Sequence, residues 1–403
     1  MCCEIRKNTK KAWKYIQYLR EYIYLCAKKK LLSYQEPILE AARRLPCFVK
    51  RAMNMKWKQL IFAREYRGFT QKALSAAVSG LSQSNLSKYE HGTETLSDET
   101  VERIMAKLDF PMKFLELDIC NNVENKHYRK KASISATARK QIDRTISLIA
   151  YCFDWMSDFV ELTDYKLGAY DLEQGISPSD VARQVRRQCR LGTAPVKDIC
   201  ALFETNGIFI YPWDCPYDDF DGVSLITDRG FRLVIINENR SSDRIRWTLA
   251  HEMGHSLMHE NVTDFINENR DKEKEANEFA GEFLMPENET RRAFTDIRMS
   301  QLGAFKSYWL TSMASIVERA KRFGCISNDK YTSLRCEFSR NRWNRKEPIS
   351  VYIDKPMVFS EIYNLITNNL GYTQSSMSGY TGLPLDVLNE ILGASKIIKM
   401  KFA

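Results

Sequence analysis

Three of the chain's five histidines fall within nine residues, in the segment His251-Glu-Met-Gly-His255-Ser-Leu-Met-His259. On an α-helix a step of four residues rises about 6 Å and turns about 40° past a full turn, so His251 and His255 project side by side. Two neutral imidazoles in that position can share one Zn²⁺ at about 2.0 to 2.1 Å. Glu252 lies beside the position left for water, where its carboxylate can take a proton from the attacking water and deliver it to the leaving amine. The spacing predicts a zinc hydrolase centre.

A catalytic zinc needs a further protein ligand from a separate element. A helix-forming segment downstream of His255 offers Glu273 and Asn277 on one face. We predict that Glu273 is the third ligand and that Asn277 orients a ligand imidazole. Glu275 and Glu278 compete for the role. However, Glu275 lies on the opposite side of the helix from Glu273, and a ligand at Glu278 would move Asn277 off the metal.

His259 is the alternative histidine ligand, because it stands four residues after His255 and would pair with it geometrically. No glutamate lies between these two as a base, and the metzincin pattern, with a third histidine six residues after the second, is absent because position 261 is Asn. We interpret His259 as a residue that flanks or supports the site. The alternative for the whole motif is a surface helix with chance histidines.

Here the chain resembles the ImmA/IrrE family of metallopeptidases, over roughly residues 177–286. The matching segments are Asp221-Gly-Val-Ser, Ile235-Ile-Asn237, Asp243-Arg-Ile-Arg-Trp-Thr-Leu-Ala-His251-Glu-Met-Gly-His255, Glu273-Lys-Glu-Ala-Asn277-Glu-Phe-Ala and Leu284-Met-Pro. Trp247 departs from the Phe that is usual in the family. The resemblance implies a gluzincin-like zinc site in a bacterial or phage regulator, encoded in a prophage or mobile element, that cleaves a partner repressor.

A second motif precedes the zinc segment. Thr70-Gln71 opens a short helix with Leu74 and Ala77 predicted to face inward, and a glycine-containing turn leads to a second helix with Ser82 as its N-cap. This pattern resembles the repressor class of helix-turn-helix domains, the XRE or lambda-repressor-like type. We expect Leu86 and Tyr89 in the core, and Glu90 as a structural partner of the opening helix.

The second of these helices would be the recognition helix. Its first residues meet base edges in this class of domain, and Gln and Asn suit adenine, whereas Ser and Lys one turn later lie near phosphates. The predicted DNA-binding residues are Gln71, Ser82, Gln83, Ser84, Asn85, Ser87 and Lys88. The alternative is a helical domain that docks a repressor of the same class.

Charge is unevenly distributed along the chain. Residues 1–56 carry 14 Lys and Arg against 4 Glu, so this leader holds more than the whole net charge of +9. The leader could be a DNA backbone arm, a partner-binding helix or a solvated extension. Residues 57–118 carry 8 basic and 9 acidic residues. The affinity of this domain for double-stranded DNA must therefore come from the leader, the basic cluster at residues 126–131, or homodimer formation.

The elements predict an α+β fold that is mostly helical, with strands over residues 208–211, 222–226 and 231–236 in a small antiparallel sheet. The predicted order is a basic extension (1–56), an all-α helix-turn-helix domain (57–118), a linker (119–140), a zincin-like peptidase domain (141–300) and a helical C-terminal region (301–403). No internal repeat is evident. The sequence has neither a long apolar window nor a signal peptide, so we expect a cytoplasmic protein without a membrane partner.

Three functional hypotheses follow. The first is a DNA-binding regulator with zinc-dependent endopeptidase activity, whose protein substrate is a helix-turn-helix repressor. The second is a DNA-binding regulator or antitoxin with a non-catalytic zinc site. The third is a housekeeping peptidase with a leftover DNA-like domain, which would bind no specific operator.

Overall fold

The computed structural model describes residues 56–119, 135–259 and 270–393. The leader up to residue 55 and the basic cluster at residues 126–131 lie outside the described residues. The described residues divide into two compact units: residues 56–63, 71–108 and 112–117 form the first, and residues 64–70, 109–111 and the described residues from 118 onwards form the second. Within the described ranges, no helix is both long and apolar enough to cross a membrane.

The first unit is all-α. Its elements are α1 (Lys56–Tyr66), α2 (Gln71–Ala77), α3 (Gln83–Glu90), α4 (Asp98–Leu108) and a 3₁₀ turn (Met112–Glu116). The last three residues of α1 belong to the second unit. Leu74 and Leu86 are fully buried in its core, and the rings of Phe62 and Phe114 lie 5.8 Å apart. The predicted helix-turn-helix therefore has a packed apolar core of its own.

The helix cap, the side-chain hydrogen bond and the buried residues that the sequence predicts for α2 and α3 are present in the structure. Ser82 Oγ accepts the backbone N–H of Asn85 at 3.1 Å, as an N-cap does. The Gln71 amide donates to Glu90 at 2.7 Å, which confirms Glu90 as a partner of the opening helix. Leu86 and Tyr89 are buried as predicted.

The prediction that Ala77 faces inward is wrong. Ala77 is exposed, and Val78, four residues after Leu74, is buried in its place. Residues four apart lie nearly above one another on a helix, so Val78 continues the inner face that Leu74 begins, whereas Ala77 lies at its edge.

Three helices precede the sheet in the second unit: α5 (Ala136–Met156), α6 (Pro178–Gln188) and α7 (Ile199–Thr205). A capping box of Ser177 and Asp180 starts α6. The sequence pattern predicts a helix over residues 196–204, whereas α7 starts at residue 199. The carbonyls of Val196 and Lys197 instead accept hydrogen bonds from the buried Arg246 guanidinium, and this use of the backbone delays the helix.

The sheet has three strands, β1 (Ile208–Trp213), β2 (Gly222–Ile226) and β3 (Arg232–Asn237), in the order β1-β3-β2. β2 pairs antiparallel with β3, which confirms the predicted antiparallel pair. β1 pairs with β3 in parallel, so the sheet as a whole is mixed. β1 is buried along almost its whole length, and such a continuous apolar run is typical of a strand covered on both faces.

Two helices follow the sheet, α8 (Ser242–Met258) and α9 (Lys272–Leu284). The sequence pattern predicts helices over residues 242–258 and about 271–284. α8 has the predicted bounds, and α9 begins one residue later because Asp271 serves as its N-cap and accepts the N–H of Lys274 at 3.0 Å. From Thr248 to its end, every residue of α8 is buried. A helix covered on all sides must satisfy its polar side chains inside the protein.

The rest of the described chain is helical, as predicted. Its elements are α10 (Glu287–Ala293), α11 (Met299–Trp309), α12 (Met313–Arg322), α13 (Asn328–Arg340), α14 (Val358–Asn364) with a π-helical turn (Leu365–Asn369), α15 (Gln374–Thr381) and α16 (Leu385–Leu392).

Glu204, at the end of α7, anchors the start of α14. Its carboxylate accepts the backbone N–H groups of Met357 at 2.9 Å and Val358 at 3.2 Å. Burial raises the pKa of Glu204 to about 7, the two N–H groups oppose this shift, and the nearby carboxylates of Glu361 and Asp354 add to it.

We predict that Glu204 makes stability fall as pH rises. Because the folded pKa lies above the ordinary value, the folded protein keeps a proton that the unfolded chain releases between about pH 4.5 and about pH 7. The cost above that window is at most about 3 kcal/mol. In Glu204→Gln, the urea midpoint should fall less between about pH 5 and about pH 8 than in the wild type.

Glu289→Gln, at an exposed position, is the matched control and should keep the wild-type pH dependence. An unchanged pH dependence in Glu204→Gln would contradict the prediction.

Candidate functional site

The two imidazoles of the zinc motif lie side by side inside the second unit. The Nε2 atoms of His251 and His255 are 3.1 Å apart, and the residues are 7% and 0% exposed. This burial excludes the alternative of chance histidines on a surface helix. Two buried, adjacent imidazoles whose nitrogens face each other are an arrangement that a cation would stabilise.

Glu273 of α9 completes a three-residue cluster. Its Oε2 lies 3.5 Å from His251 Nε2 and its Oε1 lies 3.4 Å from His255 Nε2. One ligand atom from each of the three residues lies within 4.8 Å of the others. Tetrahedral ligands at about 2.1 Å from zinc are about 3.4 Å from one another. The observed spacing and the donor set of two nitrogens and one oxygen fit a zinc ion.

Gly254 allows α9 to come close enough to supply this carboxylate. A Cβ at Gly254 would meet the Phe279 ring at 3.1 Å and the Cα of Ala276 at 3.3 Å, both tighter than ordinary contact. Since Gly254 lies directly before His255, this tight contact between the two helices falls beside the ligands. The small residue in the motif therefore positions Glu273.

The protonation states suit a cation. Burial lowers the pKa of His255 to about 4, so its ring is neutral at neutral pH. Hydrogen bonds from His251 and His255 hold the pKa of Glu273 well below its usual range, so this group is a carboxylate. Zinc requires these forms of its ligands.

Glu252 lies next to the cluster and is held by the sheet. Its Oε2 accepts the backbone N–H of Ser224 in β2 at 2.8 Å, and burial raises its pKa to about 7, although His251 and Ser224 oppose the shift. A Cβ at Gly222 would meet the methyl of Thr248 at 2.6 Å, so this glycine allows β2 to lie against α8. The sequence gives no signal for this role of Ser224 beyond its place in the segment Asp221-Gly-Val-Ser of the family resemblance, because the contact joins two distant elements.

A chain of hydrogen bonds supports His255 from behind. Its Nδ1 lies 2.9 Å from Nδ1 of His259, and Nε2 of His259 lies 2.9 Å from Glu275 Oε2, which Arg270 also contacts. With a cation on Nε2 of His255, its Nδ1–H would donate to His259, and the Nε2–H of His259 would donate to the Glu275 carboxylate. His259 thus supports a ligand, as the sequence indicated, and Glu275 points away from the cluster.

The prediction for Asn277 is wrong. Its Nδ2 donates to the backbone carbonyl of Glu273 at 2.7 Å, and its Oδ1 accepts the indole N–H of Trp247 at 3.3 Å. A short polar side chain on a helix readily bonds the carbonyl four residues earlier, which keeps Asn277 from reaching an imidazole. Trp247, which donates this hydrogen bond to Asn277, is also the residue that stands in place of the Phe usual in the family.

The site opens into a cleft of about 1020 Å³, and both His251 and Glu252 line it. Several acidic residues of the lining are paired: Asp221 with Arg240 and Arg244, and Asp243 and Glu347 with Lys306. The lining also includes Arg335, Arg345 and Lys346, which form no ion pair with any residue that the structure describes. The cleft is therefore lined by the candidate metal centre and by these three basic side chains, here called the basic wall.

The predicted DNA-binding residues of α3 lie at its exposed start. Ser82, Gln83, Ser84 and Asn85 are exposed, and Ser87 is half-buried. Their position agrees with a recognition helix whose first turn is accessible.

Two other predicted DNA contacts are engaged inside the first unit. The Gln71 amide donates to Glu90, and Lys88 Nζ forms an ion pair with Glu94 at 2.7 Å. Lys88 is exposed and its pair is a surface pair of little energy, so it remains able to exchange Glu94 for a phosphate. The DNA contacts stay a prediction.

Comparisons with known proteins agree with both halves of this description. Residues 212–321 match the family described as an IrrE N-terminal-like domain, and residues 60–115 match the family described as a helix-turn-helix. No curated protein and no solved structure matches the chain. The metal cluster and Glu252 fall within the first match, and α2, α3 and α4 fall within the second.

We predict that Glu273→Gln weakens zinc binding by at least about 100-fold, because loss of a direct ligand should exceed the ~10- to 100-fold effect typical of outer groups. The unfolding midpoint of the metal-free protein is measured in parallel, because the Glu273 carboxylate also accepts hydrogen bonds from His251 and His255 and its loss lowers stability by itself. Competition with a chromophoric chelator measures the affinity. Glu278→Gln, which changes a competing acid on the same helix, should bind zinc as the wild type does; equal losses in both variants would contradict the assignment.

We predict that His259→Ala weakens zinc binding by ~10- to 100-fold, because the ring of His255 loses the acceptor that orients it. His259→Gln should retain most of the affinity, since its amide can accept from His255 and donate to Glu275. Metal-free unfolding midpoints of both variants show whether folding is affected. If both variants bind zinc like the wild type, His259 does not support the ligand.

Proposed function

We propose that this chain, which carries a helix-turn-helix domain and an IrrE N-terminal-like domain, is a DNA-binding regulator with zinc-dependent endopeptidase activity that cleaves a partner transcriptional repressor. The observation that carries the proposal is the cluster of His251, His255 and Glu273, with the buried carboxylate of Glu252 beside it at the base of an open cleft.

Each residue of the centre has a distinct role in this proposal. His251, His255 and Glu273 hold the ion, which supplies Lewis acidity toward a peptide carbonyl when bound. Glu252 accepts the proton of the attacking water and passes it to the leaving amine. Its pKa near 7, raised by burial, suits a group that must both take and return a proton at neutral pH.

The number of ligands favours a catalytic over a structural ion. Structural zinc sites are closed by four protein ligands, whereas catalytic sites have three and keep one position open. Among the described residues, the cluster has three members. The site also lines a cleft, so a substrate can approach the open position.

A helix-turn-helix repressor is the substrate that best accounts for the domain pair. A peptidase that carries a repressor-type domain can be brought to the same DNA or to the same protein partners as its substrate. The basic wall of Arg335, Arg345 and Lys346 favours an acidic segment of that substrate. Residues 57–118 have no excess of positive charge, so we propose that formation of a homodimer adds to the affinity for DNA.

We predict that Glu252→Gln binds zinc like the wild type but cleaves ~10²- to 10⁴-fold more slowly, because only the proton transfer is lost. Each variant is co-expressed with the helix-turn-helix repressor encoded nearest to its own gene, and the fragments are identified by mass spectrometry. Glu278→Gln is the control that should cleave normally.

Two results would contradict the proposal in different ways. Stoichiometric zinc without cleavage in the wild type would favour the non-catalytic zinc site of a regulator or antitoxin. Purified wild-type protein without zinc would indicate a vestigial site.

A further inference from the structure

The C-terminal helices α14, α15 and α16 repeat the sequence pattern of α1, α2 and α3. Gly68-Phe-Thr-Gln71 precedes and opens α2, and Gly371-Tyr-Thr-Gln374 precedes and opens α15. Both glycines have a left-handed backbone, with φ of +72° and +71°. A glycine with a left-handed backbone therefore precedes the second helix in both places, although the first helix ends in a π-helical turn only in the C-terminal segment. Because few residues are identical, no internal repeat is evident from the sequence alone.

The burial pattern continues the correspondence through all three helices. Residues at equivalent positions are buried in both segments. The pairs are Leu60 and Tyr363, Ala63 and Ile366, Leu74 and Met377, Val78 and Thr381, Leu81 and Leu383, Leu86 and Leu388, and Tyr89 and Ile391. This agreement indicates that the same faces point inward in both segments and favours a similar arrangement of the three helices.

The turn between the second and third helices also recurs. Gly80 and Gly382 have φ of +77° and +70°, and each is followed by a buried leucine and then by the residue that precedes the third helix. Thr70 and Leu86 are 16 positions apart, whereas Thr373 and Leu388 are 15 positions apart. The C-terminal turn is shorter by one residue.

We propose that residues 358–393 form a second helix-turn-helix unit, and that the exposed face of its third helix, α16, binds protein instead of DNA. The protein segment that it binds is residues 64–70 of this same chain.

The chemistry of α16 is wrong for DNA. Its exposed residues are Leu385, Asp386, Asn389 and Glu390, with two acids and no base. Where α3 presents Asn85, α16 has a buried valine, Val387. An acidic face is repelled by phosphates, and no amide remains at the position that would read a base.

The acidic face of α16 already contacts residues 64–70, which belong to the same compact unit as α16. Arg67 Nη1 donates to Asp386 Oδ2 at 2.5 Å, and the Tyr66 hydroxyl donates to Glu390 Oε2 at 2.6 Å. Both acids of α16 are thus used by one short segment of the chain. The face that reads DNA in a repressor is here a protein contact.

On the side away from residues 64–70, the helices α15 and α16 form hydrogen bonds with buried parts of the protein. The Tyr211 hydroxyl of β1 donates to the Ile391 carbonyl, and the Tyr151 hydroxyl of α5 donates to the Thr381 carbonyl, both at 2.9 Å. These bonds hold α15 and α16 in place from behind. The exposed face of α16 therefore has a fixed position against residues 64–70.

A charge exchange tests the protein contact in the full chain. Arg67→Asp and Asp386→Arg should each lower the urea midpoint, because each places two like charges together. The double variant restores an opposite pair and should recover more than half of the summed loss. Asn389→Arg adds the same charge to the same face and should change nothing. A double variant as unstable as the two single losses combined would overturn the proposal.

A DNA measurement tests the second half of the proposal. The full chain is used to select duplexes from a random library, and fluorescence anisotropy then compares variants on the selected duplex. Asn85→Ala should weaken binding by ~5- to 150-fold, the range of one lost base contact, whereas Asn389→Ala should bind like the wild type. Absence of any selected duplex agrees with a protein-binding α16. Weaker binding by Asn389→Ala would show that α16 contacts DNA.

Discussion

The close packing of α9 against α8 at Gly254 is the contact on which the candidate site depends. α8 alone supplies two imidazoles and a carboxylate, but a cation also needs Glu273, and this residue belongs to α9. A side chain at Gly254 would meet Ala276 and Phe279 and push α9 outward. The absence of a Cβ in the middle of the motif thus converts two neighbouring helices into one metal centre.

Burial then sets the chemistry of the groups that this contact assembles. Removal from water lowers the pKa of His255 and raises that of Glu252, which favours a neutral ligand and a carboxyl group able to exchange a proton. Polar groups so deep in a protein must have partners. β2 supplies one for Glu252 through Ser224, and His259 with Glu275 supplies one for His255.

One three-helix pattern occurs twice in the chain with opposite surface chemistry. On their exposed faces, α3 presents Ser84 and Lys88, and α16 presents Asp386 and Glu390 at the corresponding positions. The buried positions that determine the helix arrangement are apolar in both. A fold is specified by its inner face, and its function by the outer one.

Local features of this protein could be predicted from sequence, because they depend on residues close together in the chain. The bounds of α8, the Ser82 cap, the buried positions of α3 and the paired imidazoles all follow from helical periodicity or from a cap three residues away. The choice of Glu273 over Glu275 also followed from the face on which each lies.

Contacts between distant segments were decided only by the tertiary structure. The parallel pairing of β1, the late start of α7 beside Arg246 and the use of Asn277 by Trp247 all involve partners from other elements. Periodicity shows which face of a helix or strand is inward, but it does not specify which element covers that face. That choice depends on how all the inner faces pack together, and so only the folded chain determines it.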